Sequence, residues 1–324
     1  LMAERAASQR PNTELLRQQA LEALPADGRL LIQSDGQVKI VTPQVLGRLH
    51  LDDPTALGDH PAPARVILPI EPPARLLAIS AGGRIALLRW EFAGQQPGTL
   101  DRFLPTGLEG DPMVAIQRLP DQDSGDLSLG LLSSDGRFKR LPLSDVLDLS
   151  GRATSVLKLK DGVQLCGAVI CKEHQDLYVV SDIGRMLRLP IDETTLPLMG
   201  RLAQGPMTMR LFPNEQLVGA ICPKHPSLLL MTQTGAMNRV DVSEIRSCKR
   251  GDLGVMAVSL NSEVDKIIGI ADSDGLIGVT TSQQRHGRID CSTVDQIQPG
   301  NELKSYFELK KGETITDLIR RISG

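Results

Sequence analysis

One phrase recurs six times along the chain and constrains everything else: an apolar run, a small polar turn closed by glycine, then a segment carrying arginine or lysine. The clearest copy runs from Gln175 to Pro190, QDLYVVSDIGRMLRLP. The others are LLIQSDGQVKIVTP around Gly36, LAISAGGRIALL around Gly83, LGLLSSDGRFKRLP around Gly136, LLLMTQTGAMNRVD around Gly235 and GVTTSQQRHGRID around Gly287. Successive glycines stand 47, 53, 48, 51 and 52 residues apart. A period near fifty, kept along the whole chain, specifies an array in which each unit buries its apolar face against its neighbours.

Each copy reads as two strands joined by a tight turn. A polar connection follows, often with Arg and Gly: Leu46-Gly47-Arg48, Ser150-Gly151-Arg152, Met199-Gly200-Arg201 and Cys248-Lys249-Arg250-Gly251. A third strand is predicted at Val156, Met209, Ala257 and Tyr306, and a fourth at Leu165–Ala168, Leu217–Ala220 and Ile267–Ile270. Four short strands per unit is the arithmetic of a propeller blade. The final Glu313–Ile322 segment matches the fourth part and has no hairpin after it, so it is expected to pair beside the first unit and close the ring, which removes an exposed sheet edge. Two places are irregular: Glu91–Gly110 in the second unit, and Gln283–His286, which reads as a lengthened turn in the sixth.

Only 2% of the 324 residues are aromatic, so the core is built from Leu, Ile, Val and Met. The same scarcity argues against a reader that stacks bases on aromatic platforms. The net charge is −3, so any basic surface is local. Five cysteines stand singly, with no C-x-x-C pair, and read as small buried hydrophobes of a protein in a reducing cytoplasm. The five histidines read as loop residues, and no metal site is expected. No apolar run of 18 residues and no signal peptide is present, so a soluble, unexported protein is expected. Before the array, Asn12-Thr13 and Pro25 bracket one amphipathic helix, too short to fold alone and expected to pack on the array or on another domain.

The position after each turn glycine is Gln37, Arg84, Arg137, Arg185, Ala236 and Arg288, and the next turns of the pattern add Lys39, Lys139, Arg140, Arg188 and Arg239. Alternation along a strand puts Arg137 and Lys139 on one face and Phe138 on the other, and makes Met186 a core residue beside Arg185. With Arg48, Arg152, Arg201, Lys249 and Arg250 from the connections, these cations predict a belt around the ring that suits a phosphate backbone read without sequence. Residues 137–210 hold 11 basic and 8 acidic side chains, whereas residues 50–126 hold 6 and 11, so the third and fourth units are the expected DNA-facing part. An exposed hairpin also carries Arg and Lys merely to stay soluble. Phosphate-loop, nucleophile-elbow and zinc-protease motifs are missing, so no catalysis is expected.

The tandem phrase, with its glutamate-containing returns, resembles the C-terminal domain of bacterial type IIA topoisomerase A subunits, from DNA gyrase and topoisomerase IV. The resemblance runs from about Leu30 to Gly324. It implies an all-β fold, a six-bladed β-pinwheel whose neighbouring blades exchange strands, with DNA bent around its basic rim. It implies residues 1–26 as the end of the breakage-reunion region and 27–324 as the pinwheel. The family's active-site tyrosine would lie before this chain, and neither Tyr178 nor Tyr306 is that residue. The implied partners are duplex DNA, the ATPase B subunit of the enzyme, plus the remainder of its A chain, in the cytoplasm at the nucleoid, with ATP and Mg²⁺ used by other domains and the pinwheel itself monomeric. Gyrase carries a Gln-Arg-Arg-Gly-Gly-Lys-Gly box in its first blade. Here Thr42–His50 reads TPQVLGRLH, and the nearest match is Cys248–Gly254, CKRGDLG, with Lys249, Arg250, Gly251 and Gly254 in register. The rival reading is a protein-interaction propeller, but Trp90 is the only tryptophan and no Trp-Asp or paired-glycine signature repeats.

Overall fold

The computed structural model describes residues 12–147, 149 and 151–324. These fold into six small sheets, one per repeat, preceded by the helix Thr13–Glu22. Each sheet is built on one hairpin. In the fourth blade Asp176–Ser181 pairs antiparallel with Arg185–Pro190, in register from Asp176 against Pro190 to Val180 against Met186. The turn bends at Gly184, whose φ of +90° lies where a Cβ is strained. Asp176–Ser181 and Arg185–Pro190 bury nearly every side chain, because one face packs on each neighbouring blade. Tyr178, Val180 and Met186 meet Leu228, Leu230 and Val240 of the fifth blade. Leu177, Val179, Leu187 and Leu189 meet Leu132, Phe138 and Cys171 of the third.

The fourth strand of each unit pairs with the first strand of its own hairpin: Ala64–Pro69, Met113–Arg118, Leu165–Lys172, Leu217–Ile221, Ile267–Asp272 and Ile315–Arg320. Neighbouring fourth strands contact one another around the ring, so they form its inner edge. The third strand goes elsewhere. It leaves its own unit and pairs with the hairpin of the preceding blade: Gly98–Thr99 on the first, Thr154–Ser155 on the second, Met207 on the third, Val255–Met256 on the fourth and Lys304–Ser305 on the fifth. The first unit supplies Thr55–Gly58 to the sixth hairpin, which closes the ring.

Closure therefore differs from the expectation for the chain's end. Ile315–Arg320 pairs with its own hairpin, and Ile322–Ser323 is the part that pairs with the first blade, parallel to Val66 and Ile67. Arg65 with Asp317, and Arg321 with Asp52, add ion pairs across the same seam. The sixth turn is also not lengthened. Gln284, at φ +59°, takes the place of the turn glycine, and Gly287 lies inside the strand His286–Asp290. The true spacing from Gly235 to this turn is 49 residues. His286 is accordingly a strand residue bonded to Thr280, not a loop residue.

The N-terminal helix is capped by the Asn12 side chain, which accepts from the Glu14 N–H. It packs on the irregular part of the second unit, where Arg17 pairs with Glu91 beside the short helical turn Trp90–Gly94. Glu91–Gly110 thus serves as the helix's seat. Residues 1–11 of the predicted N-terminal segment lie outside the described residues. No described helix is long and apolar enough to cross a membrane.

Candidate nucleic-acid interface

The hairpin arginines do not form a belt. Arg185, one residue past the turn glycine, is 4% exposed. Its guanidinium forms a two-pronged pair with Glu215, Nε to Oε1 at 2.8 Å, donates to the carbonyls of Arg210 and Leu253, and lies 4.2 Å from the centre of the Phe212 ring. Glu215 stands two residues before its own blade's fourth strand. Arg84 makes the same link to Asp111 at 2.9 Å, and Arg285 to Glu313 at 2.8 Å. In three blades of six, then, the arginine after the turn fastens the hairpin to its inner strand. Arg285, not Arg288, is the sixth blade's counterpart of Arg185. Arg137 varies the theme by donating to Gly205 O at 2.9 Å and lying 3.4 Å from Asp135.

A second set, four residues past the turn, fastens a hairpin to the connection arriving from the next unit. Arg188 donates to Ile245 O at 2.8 Å and pairs with Asp176 at 2.7 Å. Arg239 donates to Val294 O at 2.7 Å, and Arg288, 6% exposed, to Asp53 O at 2.8 Å. Arg140 is 1% exposed and bonds Glu173 at 2.5 Å. Lys139 is 1% exposed, and its ammonium donates to Val156 O at 2.5 Å and Arg201 O at 2.6 Å. The expectation that Lys139, Arg140, Arg185 and Arg288 face DNA therefore fails, since each is buried and its charge is used within the ring. Arg84, Arg137, Arg188 and Arg239 are half-buried and engaged in the same way, and Lys39 is half-buried on its strand. Met186 faces the core as expected.

The buried pairs lower the pKa of their carboxylates. At Glu215 burial works to raise the pKa, but the hydrogen bond from Arg185, with help from Ser181 and the Phe212 N–H, carries it below the ordinary value. Asp111 is lowered in the same way, burial being outweighed by bonds from Ser80, Gly82 and Arg84. The Arg285 hydrogen bond takes Glu313 down to about 2, against the effect of burial. Burial brings Lys139 down to about 8, with Asp145 opposing.

The free cations lie on the connections. The fourth strand lies on the inner side of each hairpin, flanked in the first sheet by Ile322–Ser323, and the exchanged strand, or in the third sheet the Met207 bridge, lies on the other, so the segments feeding the exchanged strands run along the perimeter. Arg48, Arg152, Arg201, Lys249 and Arg250 are exposed there, and none has an acidic partner among the described residues. Arg48 ends the short helix Pro43–Arg48, capped by Thr42, which occupies the first-unit stretch where gyrase has its box. In the fifth unit the box-like stretch is a folded turn. Gly251 N–H donates to Thr208 O at 2.8 Å, and Arg210 Nε donates to Gly251 O at 2.5 Å. Gly254 has φ +75°, and a Cβ there would collide with the carbonyl oxygen of Met186. The turn thus needs its glycine and holds Lys249 and Arg250 outward beside exposed Arg210, where the third and fourth blades meet.

The repeat pattern does not single out Arg210, nor Lys158 and Lys160, exposed in the turn after the third unit's exchanged strand and beside Gln204 and Gly205. The VLKLKDG and MRLFPNE segments hold the signal. Their cations fall in the turn past the strand, outside the hairpin pattern. Arg152, Arg201, Lys249 and Arg250 follow the perimeter from the second blade to the fourth, and Lys158, Lys160 and Arg210 stand in the adjoining turns. Other exposed cations of the outer segments meet acids, as in Lys304 with Asp295 and Arg246 with Asp252. His225 lies 3.0 Å from Asp272 and 3.8 Å from Asp274 at the surface, an arrangement accounted for by the bonds of Lys224 N–H to Asp272 and Arg320 to Asp274.

Comparison with known proteins agrees with this architecture. Residues 131–172, 175–224 and 226–273 match the family described as DNA gyrase C-terminal domain, beta-propeller. The DNA gyrase A protein of Mycolicibacterium smegmatis is 26% identical over 198 residues, 59% of this chain and 23% of that protein. The DNA topoisomerase 4 A protein of Synechocystis sp. is 29% identical over 214 residues, 61% of this chain and 23% of that protein. The chain thus spans about a quarter of the length of these curated relatives. Among solved structures, a DNA gyrase A C-terminal domain superposes with a TM-score of 0.71 at 16% identity, covering 91% of this chain and 99% of that one. The C-terminal domain of a DNA topoisomerase IV gives 0.70 at 16% identity, covering 90% and 92%. The three matched segments are the third, fourth and fifth blades, which carry most of the free perimeter cations. The chain is thus similar in sequence to DNA gyrase A and topoisomerase 4 A proteins over its middle blades, and in fold to the C-terminal domains of DNA gyrase A and topoisomerase IV, a six-bladed β-propeller of strand-exchanged sheets.

Proposed function

We propose that this chain is the non-catalytic C-terminal domain of a type IIA topoisomerase A protein. It binds duplex DNA without sequence preference and bends it along the perimeter of the second to fourth blades, presenting DNA segments for strand passage. The observation that carries this reading is the set of exposed cations with no acidic partner among the described residues: Arg152, Arg201, Lys249 and Arg250 on the segments that feed the exchanged strands at the outer edge, with Lys158, Lys160 and Arg210 in the turns just past those strands. Guanidinium and ammonium groups on a convex edge meet successive phosphates only if the duplex follows that edge. Smoothly bending 20–30 base pairs by 40–90° costs on the order of 1–6 kcal/mol, which several charge-assisted phosphate contacts offset.

In this reading residues 1–26 lead out of the breakage-reunion region of the same polypeptide, residues 27–324 form the DNA-bending ring, and the work of ATP and Mg²⁺ belongs to other domains and to the B subunit. Arg48 extends the surface past the seam between the first and sixth blades. The test is to bind the purified chain to nicked plasmid, seal the nick with ligase and count the trapped topoisomers. A linking-number shift that grows with protein concentration is expected for wrapping, and a shortened end-to-end distance without a shift for simple bending. Failure to bind duplex DNA at low salt would leave the protein-interaction reading in its place.

A further inference from the structure

The fourth strands of the third and fourth blades, Leu165–Lys172 and Leu217–Ile221, pack side by side at the inner edge of the ring. The two strands lie in van der Waals range, since a Cβ on Gly167 would meet Ala220 N at 3.6 Å and Gly219 Cα at 3.7 Å without a clash. Near the far end of this contact Cys171 and Cys222 face each other, with their sulfurs 4.0 Å apart. Both are free thiols, Cys171 buried and Cys222 half-buried just past the end of its strand. A disulfide needs its sulfurs at about 2.05 Å, so closure requires an approach of roughly 2 Å, which a rotamer change at the strand end can supply.

The 4.0 Å approach of the two sulfurs, rather than the electrostatic surroundings, sets this pair apart among the described cysteines. Arg140 pairs across its hairpin with Gly130, and a Cβ on Gly130 would point at the Cys171 sulfur 2.9 Å away, so Arg140 and Cys171 share a face. The Arg140 guanidinium is buried, gives Nη2 to Glu173, and leaves Nε and Nη1 without partners among the described residues. Contact with Cys222 and burial hold the Cys171 thiol well above its ordinary pKa, with the Arg140 charge opposing, so Cys171 stays protonated while it faces Cys222. Cys166 is held by burial up to about 12 and Cys291 up to about 11, while Cys248 is buried and directed at Arg246 O.

We propose that Cys171 and Cys222 are a redox pair, which a peroxide converts to a disulfide joining the third and fourth blades at the inner edge. The more accessible Cys222 reacts first. Its thiolate attacks one peroxide oxygen, forming a sulfenic acid while the other oxygen leaves as hydroxide and is protonated to water. The Cys171 sulfur then attacks the Cys222 sulfur, forming the S–S bond and expelling the sulfenic oxygen as a second water. Two thiols and one hydrogen peroxide give one disulfide and two waters, with the sulfurs losing two electrons and the peroxide gaining them.

The test is to treat the intact folded chain with hydrogen peroxide, cap remaining thiols with an alkylating agent, and map peptides. The expected result is a loss of 2 Da, three alkylated cysteines of the five, and one cross-linked peptide pair holding Cys171 and Cys222. The thermal midpoint should rise by several degrees and return on adding dithiothreitol. In Cys171→Ser the intermediate should persist and be trapped at Cys222 by a dimedone-type probe, while Cys166→Ser should cross-link like the natural chain. The proposal is overturned if the folded natural chain keeps five thiols after oxidation, if the cross-link uses Cys166, or if Cys222 accumulates as sulfenic or sulfinic acid with Cys171 unreacted.

Discussion

Two sets of cations divide this molecule. The arginines of the hairpins recur at fixed distances from each turn, and nearly all of them are buried or half-buried against an acid or a carbonyl. The cations of the connections recur less regularly, and they are the ones left exposed without acidic partners. The difference follows from how a strand-exchanged ring is joined. Every blade has to hold its inner strand and the arriving strand of the next unit, and a guanidinium with five donors can satisfy several carbonyls and a carboxylate at one joint. A joint occurs once per blade, so the residue that secures it inherits the period of the fold. A ligand on the perimeter imposes no such period.

The largest effect is expected from breaking a joint. Arg185→Met strands a buried Glu215 carboxylate, and thermal or urea unfolding should show a loss of about 3–5 kcal/mol. Adding Glu215→Leu should restore most of it, because replacing both partners by apolar groups avoids the stranded charge. If Arg185→Met unfolds like the natural chain, the joint assignment fails.

Acid tests the same joints together. Asp111, Glu215 and Glu313 all have folded pKa values below their ordinary ones, so their contribution is fully present above the ordinary carboxylate range. It is lost as pH falls from about 4.5 towards about 2, where Glu313 itself protonates. Urea midpoints across that window should fall steeply, and Arg185→Met should flatten part of the fall. Lys139 has the same sign in a higher pH window. Its folded value of about 8 lies below its unfolded value of 10.5, so the unfolded state binds more protons between them and this residue adds stability as pH rises through that interval.

A smaller and local loss is expected at the box-like turn. Gly254→Ala places a Cβ at a positive φ against Met186 O and should cost about 1–3 kcal/mol, read as a lowered urea midpoint. The smallest stability effect belongs to the perimeter. Replacing Arg152, Arg201, Lys249 and Arg250 together by Ala should leave unfolding within about 0.5 kcal/mol per site, which separates this set sharply from Arg185.

Much of the ring was legible in the sequence, because a six-fold period, turn glycines and the four-part unit are local patterns. Its handover of third strands was not contained in any single unit. The segments at 154–155 and 255–256 read as strands, but nothing local says that their partners lie 70 residues earlier. The sixth turn misled for a related reason. Gln284 holds a conformation usually left to glycine, so the nearby Gly287 drew the register three residues late and made Arg288 look like the partner of Arg185. The cation assignment failed where alternation was applied as if one face of each strand met water. In this ring both faces of a hairpin are covered by neighbouring blades, so Lys139 and Phe138 are both buried. Arg48, Arg152, Arg201, Lys249 and Arg250 kept their exposed placement because connections lie outside that packing.

The division between joint and perimeter is tested most directly by the salt dependence of duplex DNA binding. Each phosphate contact contributes about −0.9 to the slope of log K against log salt. Measured on one random-sequence duplex, the variant lacking Arg152, Arg201, Lys249 and Arg250 should bind more weakly with a slope shallower by roughly 3 to 4. The Arg185→Met, Glu215→Leu variant should keep the natural slope. A perimeter variant with unchanged slope, or a joint variant that loses as much slope as the perimeter variant while still folded, would contradict the account.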